Sequence, residues 1–291
     1  MSNNKYAHIT GWGMNVPERI MTNAEIATMV DTNDEWIRER TGIEERRIAA
    51  DDDTCASLGA QAAINALRVA NLHPLEVDLI ITATSSPEYI FPATACVIQD
   101  KIGATNAGAF DLSAACTGFI YALQMASESI KAGSIKSALI IGTETLSRVV
   151  DWTDRGTCIL FGDGAGAFVL QASDQPGGIM SSMMRSDGSG GDALYIPAGG
   201  SAIPTSLQTV QEGLHFVKMN GREVYRFATR VMAAAAKEVI EKADLHLDDI
   251  DLVIPHQANK RIIEAAARGL KMSMDRIVVN VQRYGNTSTA S

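Results

Sequence analysis

The chain has 291 residues, 46% hydrophobic and 20% charged, which is the usage of a folded globular protein and excludes intrinsic disorder. A net charge of −9 argues against a nucleic-acid-binding protein, whose surface would be basic. Met1 to Lys5 is polar with no apolar run behind it, and no stretch is long enough to span a bilayer, so neither a signal peptide nor a membrane partner is expected and the location expected is cytoplasmic. In chain order, Lys5 to Gly13 reads as a strand, Thr22 to Val30 and Asp34 to Arg40 as short helices, and the Ala-rich Thr54 to Ala70 as a helix. Val77 to Ala83 reads as a buried strand, Thr94 to Ile102 as a helix, Ala109 to Leu112 as a short strand and Cys116 to Ala132 as a long helix. Strands follow at Ala138 to Gly142 and Ala165 to Gln171, then a glycine-rich loop region through Gly200. Asn220 to Lys242 reads as a helix, Ile250 to Ile254 as a buried strand, Ala258 to Leu270 as a helix and Arg276 to Val281 as a strand. The alternation predicts an α/β fold with mostly buried sheets.

Residues 70–81, Ala-Asn-Leu-His-Pro-Leu-Glu-Val-Asp-Leu-Ile-Ile, resemble residues 243–254, Ala-Asp-Leu-His-Leu-Asp-Asp-Ile-Asp-Leu-Val-Ile. Two readings are open. These are unrelated helix-to-strand corners sharing common turn residues, or the chain is an internal duplication of two α/β halves with a cleft between them.

Cys55, Cys96, Cys116 and Cys158 form no CxxC pair, so free thiols in a reducing compartment are expected. Cys116 differs from the others because a short strand, a turn of small residues and a helix meet there. Backbone N–H groups and the helix dipole would lower its pKa and make it nucleophilic. His256, in Pro255-His-Gln-Ala-Asn259, follows a strand and precedes a helix; alone it reads as a structural histidine. Asn286 alone reads as a turn residue. Together they stand at three strand ends. The order Cys, His, Asn also occurs in papain-like proteases, but their signature around the cysteine is absent. The run Phe161-Gly-Asp-Gly-Ala-Gly166 lacks the spacing and the following helix of a dinucleotide loop, so no such site is expected.

These motifs, with Asp34-Glu-Trp-Ile-Arg-Glu-Arg-Thr-Gly-Ile43, Thr153-Asp-Arg-Gly-Thr157 and Gly285-Asn-Thr-Ser288, resemble the β-ketoacyl-[acyl carrier protein] synthase III family along the chain from its first strand to Ser291. The resemblance implies a thiolase-like α/β fold: two related halves, residues 1–172 and 173–291, with mixed central sheets in an α-β-α-β-α layering. Family members continue beyond the Asn-Thr-Ser turn with a helix and two strands, so the second half is expected to be incomplete here. By resemblance Cys116 takes an acetyl or other short acyl group from acyl-CoA, and His256 and Asn286 stabilise the enolate from decarboxylation of malonyl-acyl carrier protein. No metal or other cofactor is implied. Trp36 and Arg155 match the residues that sandwich the CoA adenine, and Arg40 a phosphate contact; Asn259 lies one helical turn beyond His256, where it is expected to orient it, and is counted with the CoA-binding residues. Phe91 matches a residue that reaches the partner's acyl pocket in a homodimer. Arg222, Arg226 and Arg230 lie at i, i+4 and i+8, and Lys260, Arg261, Arg268 and Lys271 follow on the next helix. A solvated charged face is the plain reading. The resemblance places carrier-protein contacts at Arg226, Arg261 and Arg268, where an acidic partner would fit. The alternatives are a starter-unit synthase of secondary metabolism and a non-catalytic truncated paralogue.

Overall fold

The computed structural model describes residues 5–291. Its first part runs β1 (Tyr6–Asn15), β2 (Ile20–Thr22), α1 (Asn23–Ile26), α2 (Asp34–Thr41), β3 (Glu45–Arg47) and α3 (Cys55–Ala70). There follow β4 (Leu79–Ala83), α4 (Thr94–Lys101), β5 (Gly108–Leu112), α5 (Gly118–Lys131), β6 (Ser137–Thr145), α6 (Arg155–Cys158) and β7 (Asp163–Ser173). The principal sheet has the order β1-β7-β6-β4-β5. β4 is parallel to β5 and β6, whereas β7 is antiparallel to β6 and β1. Every residue of β6 is buried, as a strand covered on both faces requires.

One face is covered by α3. Thr54 and Ser57 cap it reciprocally, and its alanines let it lie flat on the sheet. The approach is so close that a Cβ on Gly11 or Gly13 of β1 would strike the carbonyl of Ala66 or Ala62. On the opposite face α5 contributes Ala122, Ala126 and Ile130, which pack on Ile81, Ala138, Ile140 and Leu170. Each fully buried aliphatic side chain of this size contributes about 1.5–3 kcal/mol. The helix expected over Thr22 to Val30 shortens to α1. The Thr28 hydroxyl bonds back to the Glu25 carbonyl, and the chain leaves the helix there.

The second part runs β8 (Leu194–Tyr195), α7 (Leu207–Gln211), β9 (Lys218–Met219), α8 (Gly221–Lys242), α9 (Lys260–Leu270) and α10 (Val281–Tyr284). α8 and α9 cross where Gly269 meets Ala233, over a core of Ile263, Ala267, Leu270, Ile277 and Val281. The resembling corners take the same course. Asn71 and Asp244 both adopt left-handed backbone, with φ of 49° and 57°. The next N–H bonds back into the helix in each case, Leu72 to Leu67 and Leu245 to Ile240. A histidine N–H then caps onto an acid three residues on, His73 to Glu76 and His246 to Asp249.

The strands expected at Ile250 to Ile254 and Arg276 to Val281 do not form a ladder. The segments meet at one parallel bridge, Val253 with Ile277, and among the described residues neither pairs with a further strand. The Arg276 guanidinium takes the carbonyls of Leu247, Ile250 and Asp251. Leu252 and Ile254, expected to be buried, are 50% and 74% exposed. The second mixed sheet implied by the resemblance is therefore present only as this bridge.

Candidate active site

Cys116 stands between the C-terminal end of β5 and the start of α5. The helix expected to begin at the cysteine begins two residues later, because Ala115 adopts a left-handed φ of 45° and residues 115–117 close a tight 3-10 turn. A left-handed conformation costs a non-glycine residue about 1–2 kcal/mol, and such strain collects at functional sites. A second left-handed residue, Ser288 with φ of 50°, faces the first. Its Oγ lies 3.6 Å from Cys116 Sγ. The turn that carries Ser288 is seated by glycines. A Cβ on Gly142 would strike the Thr289 carbonyl, and one on Gly162 the Tyr284 carbonyl. The glycines of residues 161–166 thus serve close packing near the cleft, not a dinucleotide.

His256 is positioned by its neighbour. The buried Gln257 donates to the carbonyls of Pro255 and Val278 and accepts from the N–H groups of Asn280 and Val281. The His256 Nδ1 lies 3.2 Å from the Ser291 carbonyl and 3.2 Å from its hydroxyl, while Nε2 is buried with no hydrogen-bond partner. Donation from Nδ1 leaves Nε2 as the atom that exchanges a proton with the thiol. Burial pushes the Cys116 thiol up, but the charge of the neighbouring imidazole and the contact with the Ser288 hydroxyl more than offset it, so the thiol sits below its ordinary value. Burial pulls His256 down, and the neighbouring sulfur and the Ser291 carbonyl raise it above its ordinary value. The two shifts both favour transfer of the thiol proton to the imidazole, the direction that activates a cysteine nucleophile.

Asn286 is nearly buried beside this pair. Its backbone is clamped to residues 160–162 by N–H donation to Leu160 and acceptance from Gly162. Its Oδ1 accepts the Ser288 N–H at 2.8 Å, which leaves the amide NH₂ available as a donor. Cys116, His256 and Asn286 are therefore brought together around the turn at residues 286–291.

Trp36 and Arg155 also meet, with Arg40 beside them. The Arg155 Cζ lies 4.9 Å from the Trp36 ring centroid and that of Arg40 5.6 Å. Arg155 lies over the indole ring and donates to the Asp31 carbonyl. The hydrogen bonds of the Asn259 side chain go elsewhere than to His256. As the N-cap of α9 it accepts the Arg261 N–H and donates to the Arg40 carbonyl, so it joins α9 to the end of α2. Phe91 lies at the tip of a loop with Tyr89 and Ile90, 84%, 57% and 87% exposed. Arg226, Arg261 and Arg268 are exposed, with Arg261 over the Tyr225 ring at 5.6 Å.

The sequence reading missed two site residues. Ser288 stood inside a motif already singled out, but nothing in its spacing marks contact with Cys116. Glu144 lies fully buried at the end of β6, and an acid closing an otherwise uncharged strand was a usable signal.

Comparison with known proteins decides the family. Residues 110–188 match the model of 3-oxoacyl-[acyl-carrier-protein] synthase III, and residues 240–291 match the model of its C-terminal part. The chain is 53% identical over 283 residues to the β-ketoacyl-[acyl-carrier-protein] synthase III of Symbiobacterium thermophilum, covering 97% of this chain and 86% of that protein. The chain belongs to this family. A relative of the same name from Clostridium acetobutylicum is 52% identical over 285 residues, 97% of this chain and 86% of its own. The crystal structure of the synthase III from Aquifex aeolicus superposes with a TM-score of 0.90 at 46% identity, covering 98% of this chain and 87% of that one. The priming β-ketosynthase of the R1128 polyketide pathway superposes with a TM-score of 0.89 at 36% identity, covering 98% and 85%. The fold is thiolase-like, and the protein is an acyltransferase of the condensing class that initiates fatty acid synthesis.

Proposed function

We propose that Cys116 takes an acetyl or other short acyl group from acyl-CoA, and that the acyl-enzyme condenses with malonyl-acyl carrier protein. The observation that carries this reading is the convergence of Cys116, His256 and Asn286 around the turn at residues 286–291. The thiolate attacks the thioester carbonyl, the C–S bond to CoA breaks, and CoA leaves as a thiolate that takes its proton from solvent, so the imidazolium keeps its proton on Nε2. Malonyl-acyl carrier protein then binds with its thioester carbonyl toward His256 Nε2 and the Asn286 NH₂. Loss of CO₂ leaves an electron pair on the α-carbon, delocalised as an enolate that these donors stabilise where the charge develops. The carbanion attacks the acyl-Cys116 carbonyl, the C–S bond breaks, and acetoacetyl-acyl carrier protein departs as the thiolate reforms. The sequence of steps balances without a metal or redox cofactor.

In this reading Trp36, Arg155 and Arg40 bind CoA, with the adenine displacing Arg155 from the indole face or stacking outside it. Asn259 holds the α2 end that bears Arg40. Arg226, Arg261 and Arg268 meet the acidic carrier. The free edge of β5 and the exposed loop of Tyr89, Ile90 and Phe91 support a homodimer in which Phe91 limits the partner's acyl pocket. The shared corner geometry supports halves divided at residues 172 and 173. Among the described residues no helix is long and apolar enough to cross a membrane; a cytoplasmic location is part of the reading.

Intact-mass measurement after incubation with acetyl-CoA, with peptide mapping, tests the proposal. One acetyl group on Cys116, lost on adding malonyl-acyl carrier protein, is expected. Likeness to the R1128 priming enzyme favours a second reading, a starter-unit synthase of secondary metabolism. No acetylation, but acylation by a longer acyl-CoA, would select it.

A further inference from the structure

Arg46 of β3 is the largest of the fully buried side chains among the described residues, and the steps above do not use it. Its guanidinium meets three neutral oxygens. Nη1 donates to the Met21 carbonyl at 3.2 Å and to Asn23 Oδ1 at 2.9 Å, and Nη2 donates to the Ile159 carbonyl at 2.9 Å. Nε is buried with no partner, and among the described residues no carboxylate pairs with the group. Burial lowers the guanidinium to about 10, which leaves it charged at neutral pH. An unpaired buried charge weakens a fold, and an apolar side chain would fill the same volume at less cost. What the guanidinium adds is direction, through charge-assisted bonds to three separate segments.

One of those segments leads straight to the site. Ile159 ends α6, and the residues after it hold Asn286: the Asn286 N–H donates to the Leu160 carbonyl at 2.8 Å, and its carbonyl accepts the Gly162 N–H at 3.0 Å. The stem of Arg46 packs on the same clamp. A Cβ on Gly162 would lie 3.1 Å from the Arg46 Cβ, and one on Gly285, where φ is 65°, 3.3 Å from it. The chain before Arg46 adds a bond, from the Glu44 N–H to the Gln282 carbonyl at 2.9 Å. We propose that Arg46 is a positioning residue for Asn286: it fixes residues 159–162, to which the asparagine is clamped, and so holds the amide NH₂ where the enolate charge develops. It touches no substrate. The neighbouring parts of the site have supports of their own. Asn23 donates to Asp34 Oδ1 and to the Ile43 carbonyl, both at 2.8 Å, which secures the start of α2. The Ser288 turn is seated on Gly142, and the Thr289 hydroxyl donates to the Ala83 carbonyl at 2.9 Å. A defect at Arg46 is therefore felt first at Asn286.

The inference rests on the reading in which Asn286 stabilises the enolate, so its test follows the two half-reactions apart. Enzyme is acetylated with acetyl-CoA and mixed with malonyl-acyl carrier protein in a single turnover, and loss of the acetyl group from Cys116 is timed by intact mass. Arg46→Met fills the volume without donors. It is expected to acetylate within about threefold of the parent rate and to discharge about tenfold or more slowly, because a small misplacement of a catalytic group costs this much in rate. Asn286→Ala is expected to discharge about 100-fold more slowly, as loss of one oxyanion donor does. The double variant should match Asn286→Ala alone, because Arg46 acts through a side chain that is no longer there. A further slowing of about tenfold in the double variant, discharge of Arg46→Met at the parent rate, or equal slowing of both half-reactions overturns the proposal. Arg46→Lys keeps the charge with a different reach and is expected to discharge at a rate between the parent and Arg46→Met. It takes the place of Arg46→Met in the double variant where the methionine chain does not fold, and failure of both to fold overturns the proposal in favour of a purely structural role. Discharge of Asn286→Ala at the parent rate overturns the reading of Asn286 and the proposal with it, and is told apart because Arg46 is intact there.

Discussion

His256→Ala tests the coupling at the centre of the site. Burial and the nearby Glu144 raise the pKa of the Cys116 thiol, while the imidazole of His256 and the hydroxyl of Ser288 lower it. The substitution removes the contribution of the imidazole and leaves Ser288 alone against burial and Glu144. A thiol returned only to the ordinary value of about 8.5 is about 3% ionised at pH 7, and each further unit costs another factor of ten. Alkylation by iodoacetamide at pH 7 is therefore expected to fall roughly 10- to 100-fold, and the deficit to close as the pH approaches the variant's raised pKa. His256→Gln keeps a hydrogen-bond donor without the charge and should fall between. Linkage gives a second readout with a definite sign. The raised His256 stabilises the fold at low pH and loses that contribution as pH rises through its folded pKa. The depressed Cys116 stabilises above the unfolded thiol value and loses that contribution as pH falls through its folded pKa. The parent's reactivity advantage over His256→Ala should be greatest where the parent's thiol is ionised and the variant's is not. An unchanged alkylation pKa in His256→Ala would refute the coupling.

Two further perturbations probe the supports of the site. Gly142→Ala places a methyl group against the Thr289 carbonyl, so it should cost about 1–3 kcal/mol in urea unfolding and slow Cys116 alkylation by moving Ser288 away; full reactivity would mean that the turn can retreat without consequence. Arg261→Glu should raise KM for malonyl-acyl carrier protein and flatten its salt dependence, while acetylation of Cys116 by acetyl-CoA stays unchanged.

The legible parts of the fold were those whose cause is local. The apolar runs of β4 and β6, the Ala-rich α3 and the capped α9 carry their signals within a dozen residues. The segment Ile250 to Ile254 has the same apolar look as β4, but a strand exists only through its neighbours. Here the Arg276 side chain takes the carbonyls of Ile250 and Asp251, which a ladder could bond. The candidate site was legible as residue types: Cys116, His256 and Asn286 converge as the motifs suggested. The delayed start of α5 was not, because a left-handed alanine before Cys116 has no sequence signature. The cap formed by Asn259 was not legible either, since one turn's separation from His256 describes an orienting residue and a helix cap alike. Ser288 meets Cys116 across 172 residues of sequence, and only the folded chain joins them.

The antiparallel pairing of β1 with β7 bears on how the polypeptide reaches this state. Tyr6 lies opposite Ser173, so the first strand to leave the ribosome has no ladder partner until 167 further residues have been made. At about 5–20 residues per second, β1 waits roughly 8 to 33 seconds for that partner. The parallel trio β4, β5 and β6 spans a much shorter stretch and can close while synthesis continues. α3 emerges early enough to lay its alanines on Gly11 and Gly13 in the interval, acting as a temporary splint for a strand whose Trp12 and Met14 would otherwise invite other chains. Replacing either glycine would then be felt first in the yield of folded protein, before any effect on the finished enzyme.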